Sequence, residues 1–529
     1  MIRAYAVYSV RAAEAVAISR LAEAGLDEGE LMSRAASGLA AVASARLAAR
    51  SRAGGLDGQC VVALVGAGNN GGDALYAAAI LARDGAAVVV LKVAESVHEG
   101  GLLAARDAGA VVLTVADSVH EGGLEAARDA GVLVLDAVAV GADTAAAVSA
   151  TLRDADLVID GIVGIGGHPG LSPEIDGLLR EVSDTAYVLA VDLPSGADPQ
   201  GEVAAQSCVF ADETVTFIVP KPVHLLPATE SAVGRLTVVD IGVEIDGPPA
   251  VERVTHDDVF GLWPRPGPGD DKYSRGVLGI VAGGENYTGA ALLAVTAAVC
   301  SGAGMVRYVG PPTPSLLVRS QVPEALIGWG QVQAWLVGPG VDIADDSDEG
   351  REQRAAAQSA LDSGLPCVVD AGGLDLIVES RSAPTLLTPH AGELARMLSR
   401  LEGAVERATV MGAPVAHARR LADLTNSTVL LKGATTLVVS PGSSGLAVRA
   451  QADAPAWLAT AGSGDVLAGL AGTLLAAGLS PLDSGSVAAL VHGLAADAAN
   501  PGGPVRALGV AHAIPEVVAG LLTRRTTWS

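Results

Sequence analysis

Four short segments in the first half of this sequence carry residue types that could do chemistry together. The apolar run Cys60–Val65 leads directly into GAGNNGGD (66–73). Glycines there permit a tight turn and a close backbone approach to phosphate, and a following helix offers free N–H groups. The run is not the dinucleotide fingerprint GxGxxG. Asn69, Asn70, Gly71, Gly72 and Asp73 instead suggest other contacts. Asparagine carbonyls can ligate a monovalent cation, and Asp73 can accept hydrogen bonds from a ribose or a carboxamide. VIDGIVGIGG (158–167) places Asp160 at a strand end, followed by Gly164, Ile165, Gly166 and Gly167. VDLPSG (191–196) does the same with Asp192 and Ser195, and FIVPK (217–221) ends in Lys221. Asp192 is a candidate general base and Lys221 a candidate proton donor, which together allow proton transfer without a metal. The plainer alternatives are a structural turn and a solvated lysine.

The second half holds a different set. GGENYTGA (283–290), with Ala290, and VGPG (337–340), with Gly340, follow apolar runs. TPHAGE (388–393) contains His390, LKGATT (431–436) contains Lys432, and ATAGSGDVL (459–467) leads into an Ala/Leu helix. Gly462, Ser463 and Gly464 at that helix start can form an anion hole for a transferring phosphoryl group. Asp465, one residue on, can take the proton of an attacking hydroxyl. Lys432 and Thr436 could border a nucleotide. His390 and Glu393 form only HxxE, which lacks the further ligands of a zinc site, so His390 reads better as a substrate contact.

The elements that must position these residues alternate. Helical patterns over 11–24, 31–50 and 73–83 accompany strands at 60–65, 86–93, 157–160, 187–191 and 213–219. After residue 276 the alternation resumes, with strands at 277–281, 334–337, 366–369, 428–432 and 437–440. Helices are expected at 289–301, 351–362, 466–475 and 487–499. Strands separated by helices imply α/β folding with a parallel sheet covered on both faces, and ligands then sit beyond the strands' carboxyl ends. Two α/β domains follow, 1–250 and 251–529. The Pro/Gly-rich, acidic stretch 240–272 reads as a connector that extends neither core. A near-repeat, 93–114 and 115–136, matches at 17 of 22 positions. It reads as a local duplication at one sheet edge. Its twin histidines, His98 and His120, bring no ligand cluster with them.

Composition sets the limits. The chain has 529 residues, 34 basic and 59 acidic, for a net charge of −25. No basic block offers a nucleic-acid or anionic-membrane face, and no clean apolar twenty-mer suggests a membrane span. Four dispersed cysteines suit a reducing compartment, so a cytoplasmic location is expected.

The N-terminal constellation LMSRAASG (31–38), GAGNNGGD, VIDGIVGIGG, VDLPSG and FIVPK resembles the NAD(P)H-hydrate epimerase family. The resemblance implies a Rossmann-like fold and interconversion of the R and S epimers of hydrated NAD(P)H. It implies that Asn69–Asp73 contact the hydrate and that the loop after Asp160 holds its phosphates. It further implies that Asn70, Asp160 and Ser195 surround a potassium ion and that Asp192 meets the reacting ring. Ala74 stands where that family often has glycine. Residues 265–520 resemble the ADP/ATP-dependent NAD(P)H-hydrate dehydratase family, of ribokinase-like fold, through KYSRG (272–276), GGENYTGA, TPHAGE, KG and AGSGDVLAG. That resemblance implies ADP or ATP with Mg²⁺, His390 on the hydrate, and Lys432, Gly433, Ala434, Thr435 and Thr436 on the nucleotide. It implies Gly464 on the AMP part and Asp465 as base. Gly372 stands where an acidic residue is common. Together the halves imply a homo-oligomeric enzyme acting on hydrated NADH and NADPH. The alternative is a ribokinase-like small-molecule kinase fused to a non-catalytic nucleotide-binding or oligomerisation domain.

Overall fold

The computed structural model describes residues 1–25, 29–51, 54–94, 96–114, 134–136 and 141–523. It divides into two compact units, Arg3–Ala250 and Val251–Ser529, with Met1–Ile2 counted in the second.

The first strand, β1 (Ile2–Ala4), belongs to the second unit's sheet. The first unit is built on β2 (Cys60–Val65), β3 (Ala87–Lys92), β4 (Val111–Thr114) and β5 (Val134–Asp136). To these it adds β6 (Leu157–Gly161), β7 (Tyr187–Val191), β8 (Glu213–Phe217) and β9 (Arg235–Val239). Their order is β5-β4-β3-β2-β6-β7-β8-β9, parallel throughout. The order turns at β2, because the chain leaves β5 at one edge and resumes at β6 on the other side. Such a switch point opens a crevice beyond the strands' carboxyl ends. Apolar strands buried on both sides fit this architecture. Val61, Ala63 and Val65 pack with helices Glu30–Arg50 and Asn69–Arg83, while Val62 and Leu64 pack with Val148 and Leu152 on the other face.

The duplication adds β5 to the sheet edge beside β4. The rest of its second copy, His120 included, lies outside the described residues.

The second unit contains β10 (Val251–Arg253), β11 (Val277–Val281), β12 (Met305–Val309), β13 (Leu326–Ile327) and β14 (Ala334–Val337). It continues with β15 (Cys367–Val369), β16 (Thr385–Leu387), β17 (Thr428–Leu431), β18 (Thr436–Val439) and β19 (Val448–Gln451). The order is β1-β10-β19-β18-β17-β16-β15-β14-β11-β12-β13. The run from β17 to β13 is parallel, whereas β18 lies antiparallel to both β17 and β19. Helices Thr288–Cys300, Ser463–Ala476, Pro481–Ala499 and Ala507–Thr523 share one core with Leu278, Ile280 and Leu336. Helices Asp348–Leu361, Ala391–Leu401 and Pro414–Thr425 contribute nothing to that core, yet each packs on this sheet or its neighbouring helices.

The connector reading of 240–272 fails in its middle. β10 extends the sheet beside β19, and Val254, Val259 and Trp263 enter the core. Thr255 and Asp258 form a reciprocal capping box for the short helix His256–Leu262, a device that stabilises helix starts. The widely spaced apolar residues were masked by the prolines and aspartates around them.

Candidate active sites

In the first unit, helix Asn69–Arg83 begins four residues earlier than the pattern predicts, so NNGG forms its first turn. That places Asn69, Asn70 and Asp73 at the carboxyl edge of β2. Together with Ile165, Asp192, Glu14, Tyr76 and His98 they line a pocket of about 380 Å³. Gly164 leaves room for Asn70, since a Cβ there would stand 2.4 Å from the Asn70 Oδ1. The Asn70 amide donates to the Val191 carbonyl at 2.5 Å, tying the β2 loop to β7.

Asp160, at the end of β6, is 1% exposed. Its carboxylate accepts the Ser195 N–H at 2.8 Å and the Ser195 hydroxyl at 2.6 Å. The Val163 N–H in turn donates to the Ser195 Oγ at 2.9 Å. Burial pushes the Asp160 carboxyl up to about 6, against the hydrogen bonds from Ser195.

Asp192 follows β7 with φ 65°, a left-handed conformation uncommon for a non-glycine residue and a mark of functional sites. Lys221 donates from Nζ to the Asp192 Oδ1 at 2.5 Å, and Thr216 donates to the same oxygen at 2.9 Å. Lys221 Nζ also donates to Thr216 Oγ1 and to the Phe217 carbonyl. Burial alone would raise the Asp192 carboxyl, but the Lys221 ammonium and these hydrogen bonds prevail and hold it below the usual carboxylate range. Lys221 is thus a buried partner of Asp192, not a solvated side chain.

His224 completes the group. Its Nδ1 accepts the Lys221 N–H, which leaves Nε2–H to donate to the Asp192 carbonyl at 2.7 Å. Burial and the Lys221 charge pull this imidazole down to about 4, so it stays neutral. The first-copy histidine of the duplication also serves here. His98 caps helix Glu99–Asp107 through Nδ1 and meets Tyr76 edge-on, with ring centroids 5.5 Å apart.

The departure at Ala74 has a local explanation. A Cβ on Gly161, at the end of β6, would lie 2.6 Å from the Ala74 Cβ. One methyl group fits between β6 and the helix, and here residue 74 supplies it.

In the second unit, Lys432 follows β17 and donates to the Asp370 Oδ1 at 2.7 Å, with the Glu393 Oε2 3.7 Å away. Burial lowers the Lys432 ammonium, but Asp370 and Glu393 more than reverse this and leave it raised. His390 caps helix Ala391–Leu401, its Nδ1 accepting from the Gly392 and Glu393 N–H groups. The Glu393 carboxylate returns the bond to the His390 N–H at 2.8 Å. The His390 ring is still more than half exposed. Residue 390 also forms a parallel bridge with Lys432, joining TPHAGE to LKGATT. Gly433 and Ala434 are exposed and Thr435 is buried, while the Thr436 hydroxyl makes a long bond to the Gly433 carbonyl.

Helix Ser463–Ala476 begins at a left-handed Gly462, so Gly464 and Asp465 stand in its first turn. A Cβ on Gly464 would lie 3.5 Å from Lys432 Nζ and 3.8 Å from Asp370 Oδ2. Burial, aided by the Asp370 carboxylate and opposed by Lys432, pushes the Asp465 carboxyl up to about 7. A base poised near neutrality beside a helix N-terminus suits deprotonation of a hydroxyl. Ala290, in the first turn of helix Thr288–Cys300, meets Gly340 in the loop after β14, a Cβ on Gly340 falling 2.8 Å from the Ala290 Cβ. At Gly372 a Cβ would lie 1.9 Å from the Val341 carbonyl oxygen, so this chain has no room for an acidic side chain there.

Glu14 and His224 were not singled out from the sequence, which marks Asp370 only as the strand-end residue of DAGGL (370–374) and assigns it no role. Glu14 carried no signal, being one glutamate in an Ala-rich helix.

A buried Asp–Lys pair at one parallel-sheet edge and a lysine-flanked helix start at another define a two-site α/β enzyme. Comparison with known proteins makes this particular. A family model described as NAD(P)H-hydrate dehydratase matches residues 278–512, and one described as YjeF-related protein N-terminus matches 28–223. The chain is 40% identical over 514 residues to the bifunctional NAD(P)H-hydrate repair enzyme Nnr of Mycobacterium leprae, covering 94% of both chains. The Nnr of Mycobacterium tuberculosis is also 40% identical, over 90% of this chain and 89% of its own. The chain therefore belongs to the family of bifunctional NAD(P)H-hydrate repair enzymes. Among solved structures, the ADP/ATP-dependent NAD(P)H-hydrate dehydratase of Bacillus subtilis aligns with 50% of this chain and 97% of its own, at 23% identity and TM-score 0.44. Yeast ynu0 aligns with 47% of this chain and 96% of its own, at 21% identity and TM-score 0.33. No helix among the described residues is long and apolar enough to cross a membrane.

Proposed function

We propose that this chain repairs hydrated NADH and NADPH. Its first unit interconverts the R and S hydrates at C6. Its second unit consumes the S hydrate with ADP, yielding the dihydronicotinamide, AMP and phosphate. The observation that carries this reading is the presence of both sites in one chain that matches bifunctional relatives nearly end to end.

In the first unit, Asp192 is the base that handles the proton at the C6 hydroxyl, kept ionised by Lys221. Asn69–Asp73 bind the hydrate, and residues 164–167 bind its phosphates. Asn70, Asp160 and Ser195 offer only oxygen, the donor type that hard cations prefer, and the Asn70 Oδ1 faces the glycine loop. They fit a potassium ion, whose charge would offset the buried Asp160 carboxylate beside an anionic ligand.

In the second unit, Asp465 takes the proton from the C6 hydroxyl as that oxygen attacks the terminal phosphoryl group. The N–H groups of Gly462 and Gly464 and the Lys432 ammonium stabilise the charge that develops on the phosphoryl oxygens; the Ser463 N–H expected to join them donates instead to the Thr460 carbonyl at 3.3 Å. The C6–O bond then breaks and phosphate departs as the ring nitrogen lone pair forms N1=C6; loss of a C5 proton to the departing phosphate returns that pair to nitrogen and leaves the C5=C6 double bond of the dihydronicotinamide. His390 contacts the hydrate, and Lys432–Thr436 border the nucleotide. The space left by Gly464 beside Lys432 and Asp370 fits a nucleotide phosphate. Mg²⁺ would supply further charge there.

The test is incubation of the full chain with mixed R and S hydrates, ADP and Mg²⁺, following product absorbance near 340 nm. Recovery that consumes both epimers is expected. No recovery with ADP or ATP refutes the dehydratase. Stable phosphorylation of sugars or vitamins with the hydrates untouched would install the kinase alternative.

A further inference from the structure

The pocket of the first unit holds more carboxylates than the family motifs account for. Asp192 and Asp73 belong to those motifs. Glu14 does not. It lies on helix Val7–Glu23, upstream of the matched span 28–223, yet lines the same pocket as Asn69, Asn70, Asp73 and Asp192. The helix is fastened over the site by the residue one turn earlier, where Arg11 donates from Nη2 to the Ile165 carbonyl at 3.1 Å.

The charges facing Glu14 are Lys221, Asp192 and Arg11, and it in turn acts on Asp73. Lys221 is committed to Asp192 at 2.5 Å. Glu14 and Asp73 thus crowd an already paired carboxylate, and crowded carboxyls in a desolvated site hold a proton to higher pH. Burial raises both above the usual range, Asp73 the more strongly. Asp73 is 6% exposed. Glu14 is only half-buried, so it can exchange its proton with water between turnovers.

The reaction assigned above needs two proton-handling groups. Carbon C6 of the hydrate carries a hydroxyl and is bonded to the ring nitrogen. Inverting it requires the C–O bond to break on one face and re-form on the other. From these observations we infer that Glu14 is the second acid–base group of the epimerase site, acting opposite Asp192. Glu14 gives its proton to the C6 hydroxyl, which leaves as water while the ring nitrogen lone pair forms the N1=C6 double bond. A water on the other face adds to C6, the N1=C6 pair returns to nitrogen, and the surplus proton of that water passes to Asp192. One proton is given and one taken, no redox change occurs, and the reverse reaction exchanges the two roles. Opposite ionisation states in neighbouring carboxyl groups are the arrangement such acid–base pairs require.

The inference rests on the epimerase reading, and its test separates the two. Pure R hydrate is incubated with the full chain without nucleotide, and conversion to S is followed by chromatography above the spontaneous rate. In parallel, ADP-dependent loss of S hydrate reports a folded chain and an authentic substrate. Glu14→Gln is expected to slow exchange by on the order of 100-fold or more. Glu14→Ala is expected to regain part of the rate with added formate, in proportion to formate concentration. The wild-type rate should fall as pH rises through the raised titration of Glu14, a limb the residual Glu14→Gln rate should lack. Exchange by Glu14→Gln within roughly threefold of wild type overturns the inference. So does a loss in Glu14→Gln that formate fails to restore in Glu14→Ala, with that pH limb unchanged, because that pattern marks a structural role. Loss in Asp73→Asn with full activity in Glu14→Gln moves the role to Asp73. A wild-type chain that consumes S hydrate but never exchanges R refutes the epimerase reading itself.

Discussion

Exchanging the methyl group between positions 74 and 161 tests whether packing beneath the first site sets its geometry. In Gly161→Ala the new Cβ would meet the Ala74 Cβ at 2.6 Å, the Asn70 carbonyl oxygen at 2.9 Å and the Leu64 carbonyl oxygen at 3.3 Å. Carbon atoms in favourable contact stand about 3.5–4.0 Å apart, so the first contact is short by about 1 Å. Overpacking of this kind costs about 1–3 kcal/mol. Ala74→Gly alone removes a buried methyl and puts glycine in a helix, for about 1–2 kcal/mol in all. The double variant restores the methyl from the other side. It should cost less than the sum by roughly 1–2 kcal/mol, a coupling typical of residues in contact. Relief is incomplete because the Asn70 carbonyl contact persists. Hydrogen exchange of amides in β2 and helix Asn69–Arg83 reads the local stability, and R-to-S exchange reads the site. Gly161→Ala should lose exchange activity as Asn70 is displaced, and the double variant should recover part of it. Additivity within about 0.5 kcal/mol would refute the reasoning, as would a Gly161→Ala chain indistinguishable from wild type.

Asp465→Asn should abolish ADP-dependent recovery at 340 nm while leaving R-to-S exchange intact, with circular dichroism to confirm folding. Because the folded-state carboxyl of Asp465 is raised to about 7, the acid limb of kcat/KM for repair should fall away below that pH. Lys432→Met, by removing an opposing cation, should shift the limb to higher pH. A raised acid costs the fold stability above its folded pKa, and that cost disappears below its unfolded pKa. Asp465→Asn should therefore be more stable than wild type at pH 8 by roughly 2–4 kcal/mol, with no difference near pH 3 by urea denaturation. Lys221→Met strands Asp192 without its cation and should destabilise the first unit by about 3–5 kcal/mol at pH 7. The Asp192 carboxyl is depressed, so its contribution is present above the unfolded pKa and lost as pH falls through the folded one. The gap between Lys221→Met and wild type should close on acidification. Replacing potassium with a large organic cation should slow R-to-S exchange, and rubidium should give an anomalous peak between Asn70, Asp160 and Ser195. Unchanged exchange with no peak removes the ion.

The sequence alone determined the two α/β halves and most of the loops that matter. Buried parallel strands must be apolar on both faces, and the turns at their carboxyl ends must be small and polar. Both demands write themselves into contiguous residues such as CVVALVGAGNNGGD and ATAGSGDVL. The helix start at Asn69 was misplaced by four residues, because a glycine-rich first turn lacks the apolar period that marks a helix. Only the tertiary structure decided what meets what. Lys432 reaches Asp370 across 62 positions, Lys221 reaches Asp192 across 29, and Glu14 enters the first pocket from a helix with no motif. Strand order at the switch point and the pairing of β10 with β19 are likewise non-local. Local pattern records whether a side chain is buried. It does not record which distant side chain shares that space, and it is there that the charges of Asp192 and Asp465 are set.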